Sequence, residues 1–203
     1  MPLLSAGIQP VSLSEIIGLE RYETIREELR REVIQHKRSR RIAVGPEIDL
    51  IFENHATIFF QIHEMLRAER ITDVDAMREE IAVYNSLLPA PGELSATLMI
   101  GITDKDTIEE RLVRLIGIDE HVFLEVGSEP RIRASFEPGR SREDRLSAVQ
   151  YIRFAVPPAA RVTFLDPTVA ARIRIEHANY TAETALVDSV RASLSDDLRA
   201  AVQ

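Results

Sequence analysis

Tyr22, Ile25, Leu29 and Val33 recur at spacings of three and four in a segment whose other positions are heavily charged. A single apolar stripe of this kind predicts an amphipathic helix packed by one side, here over about 13–37. Ser12 and Glu15 form its capping box, and Gly18 is a point of interruption. Next come three short runs that read as a β-meander, 41–44, 48–52 and 57–62, with Gly45-Pro46 and Asn54-His55 as turns. In the third run Ile58, Phe60 and Ile62 alternate with Phe59, Gln61 and His63, the period-2 pattern of a strand. A short helix near 64–70 follows. A longer one over 73–86 carries Val74, Met77, Ile81, Tyr84 and Leu88 at helical spacing and is stopped by Pro89 and Pro91.

The run 94–102 is apolar and β-branched enough for a buried strand, and 104–116 is amphipathic on Ile108, Leu112 and Leu115, closed by Gly117. Strands are then expected over 121–126, 131–136, 148–156 and 169–176, with Pro157-Pro158 ending the third of these. The polar stretch 136–147 is the expected mobile loop. A closing helix over 182–194, capped by Thr181, and a short helical turn after Ser195 complete the reading. The fold class is α+β, a mainly antiparallel sheet covered by amphipathic helices, in one domain spanning 1–203.

Composition narrows what such a domain can do. At 203 residues one core suffices, and 45% hydrophobic with 29% charged residues is a globular balance. There is no cysteine, which excludes disulfides, thiolate nucleophiles, cysteine-held clusters and cysteine zinc sites in this chain. Neither a signal segment nor a run of roughly 18 apolar residues is present, so a cytoplasmic location without membrane insertion is expected. The net charge of −8 argues against nucleic-acid binding. A local excess of bases in 26–41 reads as a solvated helix end complementing the macrodipole.

No phosphate loop, nucleophile elbow, HExxH or close histidine pair occurs. Two polar clusters remain as candidate sites. In HEMLRAER, His63, Glu64, Arg67, Glu69 and Arg70 crowd what reads as a strand-to-helix junction. They form either an ion-pair network that orients a helix or a ligand site. In EHANY, Glu176, His177, Asn179 and Tyr180 lie between the last strand and the last helix. There His177 is either a hydrogen-bonded structural residue or a base or metal ligand. Tyr84 and Asn85 are a third candidate, with Asn85 a C-cap and Tyr84 at the core edge on the structural reading. If the two clusters meet, His177 and Tyr180 would share one pocket with Glu64, Arg67 and Glu69, and His177 with the glutamates could hold a divalent metal.

The segments VIQHKRSRRIAVGP, EMLRAERI, AVYNSLLP, ATLMIGI, LVRLIGI, SAVQYIRF, EHANY and VRASLSDDL, in this order and spacing, resemble the bacterial domain-of-unknown-function family 3501 from about Leu13 to Leu198. The resemblance implies no reaction and no catalytic residue. It does imply a setting, because family members look to be encoded near rubrerythrin-like di-iron proteins and iron–sulfur oxidoreductases related to heterodisulfide reductase. A non-catalytic accessory or partner protein of such a redox system is the expected function. The alternatives are a small metal- or ligand-binding enzyme using His and carboxylates, and, more weakly, a nucleic-acid-binding regulatory module.

Overall fold

A computed structural model describes residue 4 and residues 7–139 and 146–199. Half of the expected mobile loop, 136–147, lies outside the described residues, at 140–145.

Among the described residues, six α-helices and nine strands are arranged in three layers: helices, a first sheet and a second sheet. The first sheet is antiparallel, in the order β1 (Arg41–Val44), β2 (Ile48–Phe52), β3 (Glu93–Ile100), β7 (Val149–Ala155), β6 (Ser135–Phe136). The second, also antiparallel, runs β5 (Ile132–Arg133), β4 (Val122–Val126), β8 (Ala171–His177), β9 (Tyr180–Ala185). Alternation explains the sandwich. Leu50, Phe52, Leu94, Leu98, Ile152 and Phe154 from the first sheet meet Val122, Leu124, Ile173 and Ile175 from the second in one core, as two half-apolar sheets must. Helices α5 (Pro158–Leu165) and α6 (Asp188–Arg199) add Phe164, Val190, Leu194 and Leu198 to the same core.

The other face of the first sheet carries a second core built by α1 (Leu19–Arg38), α2 (His55–Ala68) and α3 (Val74–Asn85). Tyr22, Leu29, Ile58, Phe59, Ile62, Leu66 and Ile81 are its buried members. A seven-residue helix, α4 (Ile108–Arg114), lies at the edge of the inner core, followed by Gly117 in the left-handed conformation. Among the described residues no helix is long and apolar enough to cross a membrane.

Two expectations are corrected and two are extended. The run 57–62 is helical and belongs with 64–70 to one helix, α2, because Asn54 caps it: its side chain accepts from Thr57 N while Asn54 N donates to Thr57 Oγ1. Burial of both faces, against the sheet and against α1 and α3, explains why the apolar pattern looked like a strand. The expected helix 182–194 is instead strand β9 and then α6, with Thr181 inside the strand opposite Glu176. Pro157-Pro158 both ends β7 and opens α5, Pro158 standing at the first helical position, where a missing N–H leaves no bond unmade. The first helix breaks at Gly18: Ser12 and Glu15 do form a capping box, but around a single 3-10 turn, Leu13–Glu15, and α1 starts at Leu19.

Candidate functional site

HEMLRAER lies on α2 and works as a helix-orienting ion-pair network. Glu64 accepts from Tyr22 Oη at 2.8 Å and from Arg26 Nε and Nη2, both at 2.8 Å. The two-pronged contact with Arg26 holds the Glu64 carboxyl below its ordinary value, against the opposing effect of burial. Arg67 pairs with Glu23 at 2.7 Å, and Glu69 is the exposed C-cap of α2. His63 is buried in the second core, stacked on Tyr22 and Phe59. Its Nδ1 donates to Phe59 O at 2.8 Å and its Nε2 accepts from Ile17 N at 3.0 Å. Burial pushes this imidazole down.

EHANY is the β8–β9 hairpin. His177 Nε2 donates to Ile116 O at 3.0 Å and its Nδ1 accepts from Asn179 N at 3.2 Å, so both ring nitrogens are engaged by backbone. Tyr180 Oη donates to Val44 O at 2.6 Å and accepts from Glu47 N at 3.3 Å, fastening the second sheet to the β1–β2 turn. At the end of α3, Asn85 holds Val11 by two bonds, Val11 N to Oδ1 at 2.9 Å and Nδ2 to Val11 O at 2.8 Å. Tyr84 is half-buried beside Tyr151.

The expected single pocket does not form. Glu64, Arg67 and Glu69 sit in the helical layer, whereas His177 and Tyr180 belong to the second sheet on the far side of the first. The physical reason is local: Glu64 is taken by Arg26 and Tyr22, Arg67 by Glu23, and His177 and Tyr180 by backbone groups. Among the described residues no group of three or more His, Asp or Glu is placed to hold a metal ion.

What the fold does assemble is a different polar site. Where the end of α1, the start of α2 and α6 meet, a cavity of about 470 Å³ is lined by Gly7, His36, Ser39, Arg40, Asn54, Ser193, Asp196 and Asp197. Arg40, 1% exposed, is its fixed point. Nε donates to Phe52 O at 2.7 Å, Nη2 to Glu53 O at 3.1 Å and to Asp197 Oδ2 at 2.5 Å, and Nη1 to Ser193 Oγ at 2.9 Å. Asp197, 3% exposed, stands on the buried face of α6. Burial pushes its carboxyl up, overcoming the opposite pull of Arg40.

Asn54 sets the chemistry of His36. Because Thr57 N donates to Asn54 Oδ1, the orientation of the amide is fixed, and His36 Nε2, 3.2 Å from the same oxygen, must be the donor. That leaves Nδ1 as an acceptor. Burial pushes His36 down as well, so the neutral ring is the favoured form. The site is therefore rich in acceptors: a neutral imidazole, a buried carboxylate whose cation is already engaged, and the Ser193 hydroxyl.

Sequence reading missed this site because its members span 7 to 197: most fall within VIQHKRSRRIAVGP and VRASLSDDL, but nothing in either segment joins one to the other. One signal was available: Asn54 followed three residues later by Thr57 is a cap pattern, and it would have placed His55 and His63 on a helix. Beside the cavity, the buried Glu53 carboxylate takes hydrogen bonds from the neutral groups of Thr57, of Gln61 at 3.0 Å and of Thr97 at 2.5 Å, tying α2 to β3.

The fold and site define a helix-covered antiparallel sandwich with a polar cavity at the helix–sheet junction. The chain matches the family described as "Protein of unknown function (DUF3501)" over residues 10–198, and it belongs to that family. It is similar to a protein of unknown function from Burkholderia pseudomallei K96243, known from a crystal structure. The two share 32% identity with a TM-score of 0.87, covering 94% of this chain and 100% of that one. No curated protein matches significantly.

Proposed function

We propose that this chain is an accessory protein of a bacterial redox system that binds a compact, donor-bearing molecule, an amine or a hydroxylated compound, in the cavity between α1, α2 and α6. One observation carries the ligand reading: the cavity presents acceptors, His36 Nδ1, the Asp197 carboxylate and Ser193 Oγ, around a guanidinium already fixed by four partners. Its volume of about 470 Å³ falls within the range common for small-molecule sites, roughly 300–1,000 Å³. The redox setting rests on the association of family members with rubrerythrin-like di-iron proteins and iron–sulfur oxidoreductases, and on the chain's similarity to that family.

The test is a thermal-shift and calorimetric screen on the full chain with free amino acids, ethanolamine and simple polyols, and inorganic phosphate as the anionic control. A saturable rise in melting temperature with a donor-bearing compound, lost in His36→Ala and Ser193→Ala, is expected. Stabilisation by phosphate alone, or a shift unchanged in both variants, would overturn the ligand reading. The accessory role is read separately, by titrating the chain with purified rubrerythrin-like protein of its own genome; the absence of saturable binding rejects that part.

A further inference from the structure

The segment 7–17 lies along α2 and α3 as a strap. Val11, Leu13, Ile16 and Ile17 pack onto the second core, but no strand pairing joins them to it. Three side chains hold the strap instead. Asn85 grips both backbone groups of Val11. His55, whose backbone N donates to Gly7 O at 2.8 Å, directs Nδ1 at Gln9 O, 2.8 Å away, and Nε2 at Glu15 Oε1, 3.1 Å away. His63 accepts from Ile17 N through Nε2.

The geometry of His63 sets a protonation demand. Its ring already donates through Nδ1 to its own helix, so it can accept Ile17 N–H only while neutral. We propose that residues 7–17 are a proton-gated strap, docked while His63 is neutral and released when its ring is protonated.

The surroundings favour the neutral His63 ring. His63 is packed between Phe59 and Tyr22 of α1, and its neighbouring carboxylate, Glu64, is taken by Arg26 and Tyr22. Burial pushes the ring down. His55 faces Glu15, which is oriented by Ser12 N and Oγ, and the Phe59 ring at 6.2 Å. From α3 the strap meets the uncharged Asn85. Release would uncover the apolar surface of Phe59, Ile62, Ile81 and Leu88, and would draw back Gly7, a wall of the polar cavity. The strap's behaviour does not depend on the ligand reading, since the side chains that hold it, Asn85, His55 and His63, do not line the cavity.

The test is residue-resolved amide exchange on the full chain across about pH 5 to 9, expressed as protection after correction for the intrinsic rate. Protection at Val11 and Ile17 should fall towards acid while β3 amides remain protected, which separates strap release from unfolding. On the acid side the loss should approach roughly tenfold per pH unit once His63 titrates. His63→Gln, whose Oε1 can accept from Ile17 without titrating, should abolish the acid limb. Protection that is independent of pH in the unaltered chain, or an acid limb that persists in His63→Gln, would overturn the proposal.

Discussion

The two outer faces of the sandwich solve the same problem in opposite ways. On the first sheet, His63, Asn85 and Glu53 lie under helices and are satisfied by backbone or by neutral groups, and the buried Arg40 has a single carboxylate partner, Asp197. On the outer face of the second sheet the charged side chains satisfy one another. Glu125 faces Arg131 at 2.8 Å and Arg172 and Arg174 at 3.1 Å each. Glu176 and Glu183 pair with the same arginines. Arg174 Nε is near enough to Glu125 for an ion pair but is not aligned to donate a hydrogen bond to it. A covered face depends on single irreplaceable contacts. An open face distributes its charge over several exchangeable ones.

The sharpest break of this contrast is at Arg40. Replacing it by Ala leaves the buried Asp197 carboxylate without its cation and removes donors to two carbonyls, so about 3–5 kcal/mol should be lost in a urea titration. The Arg40→Met, Asp197→Leu double variant should lose less than the Arg40→Ala single variant, because no charge is left buried alone. Equal losses in the two would mean that packing, not charge, dominates there.

A smaller effect is expected from acid. His36 and His63 are both held below the ordinary imidazole value by burial, so as pH falls below about 6.5 the unfolded chain takes up protons that the folded chain refuses. Stability should therefore decline from about pH 6.5 downwards. Asp197, raised by burial, acts the other way, since its folded form binds a proton first as the carboxylate range is entered. Denaturant midpoints for His63→Gln measured across this range should show a shallower decline than the unaltered chain; an identical slope would assign the acid sensitivity elsewhere.

The smallest effect belongs to the open sheet. Glu125→Gln should cost roughly 0.5–1 kcal/mol, shrinking in about 1 M salt, because the remaining carboxylates can take over its arginines. A loss as large as that of Arg40→Ala would erase the distinction between the faces.

Periodicity was a good guide where one face of an element is wet. Helix α3 and strands β3, β7 and β8 fall close to where Val74 to Leu88, Leu94 to Ile102, Ala148 to Val156 and Val169 to Glu176 suggested. It misled where both faces are dry: Ile58, Phe59 and Ile62 are all buried, so the segment offers no polar phase from which to read 3.6 rather than 2. The stretch after Tyr180 misled for a different reason. Its alanines and glutamate favour a helix locally, but ladder pairing to β8 and the bonds of Tyr180 to Val44 and Thr184 to Ala43 override that preference. The polar cavity was the least legible part, since Arg40 and Asp197 are joined only by the packing of α6 against the first sheet. His36 continues the stripe of α1 and announces nothing until Asn54 stands beside it.

The passage of the chain between the sheets gives the sandwich a spine and a clasp. Strand β5 ends at Arg133 in the second sheet and β6 begins at Ser135 in the first, so one buried residue, Ala134, binds the two leaves together along that edge. At the opposite edge, where β1 meets β9, two side-chain hydroxyls reach across, from Tyr180 to Val44 O and from Thr184 to Ala43 O. Covalent geometry permits no slack at the spine, whereas hydrogen bonds of this kind exchange with water at a net cost of only about 1 kcal/mol each. The two edges therefore differ in kind: a covalent turn fixes the spine, while exchangeable hydrogen bonds close the clasp.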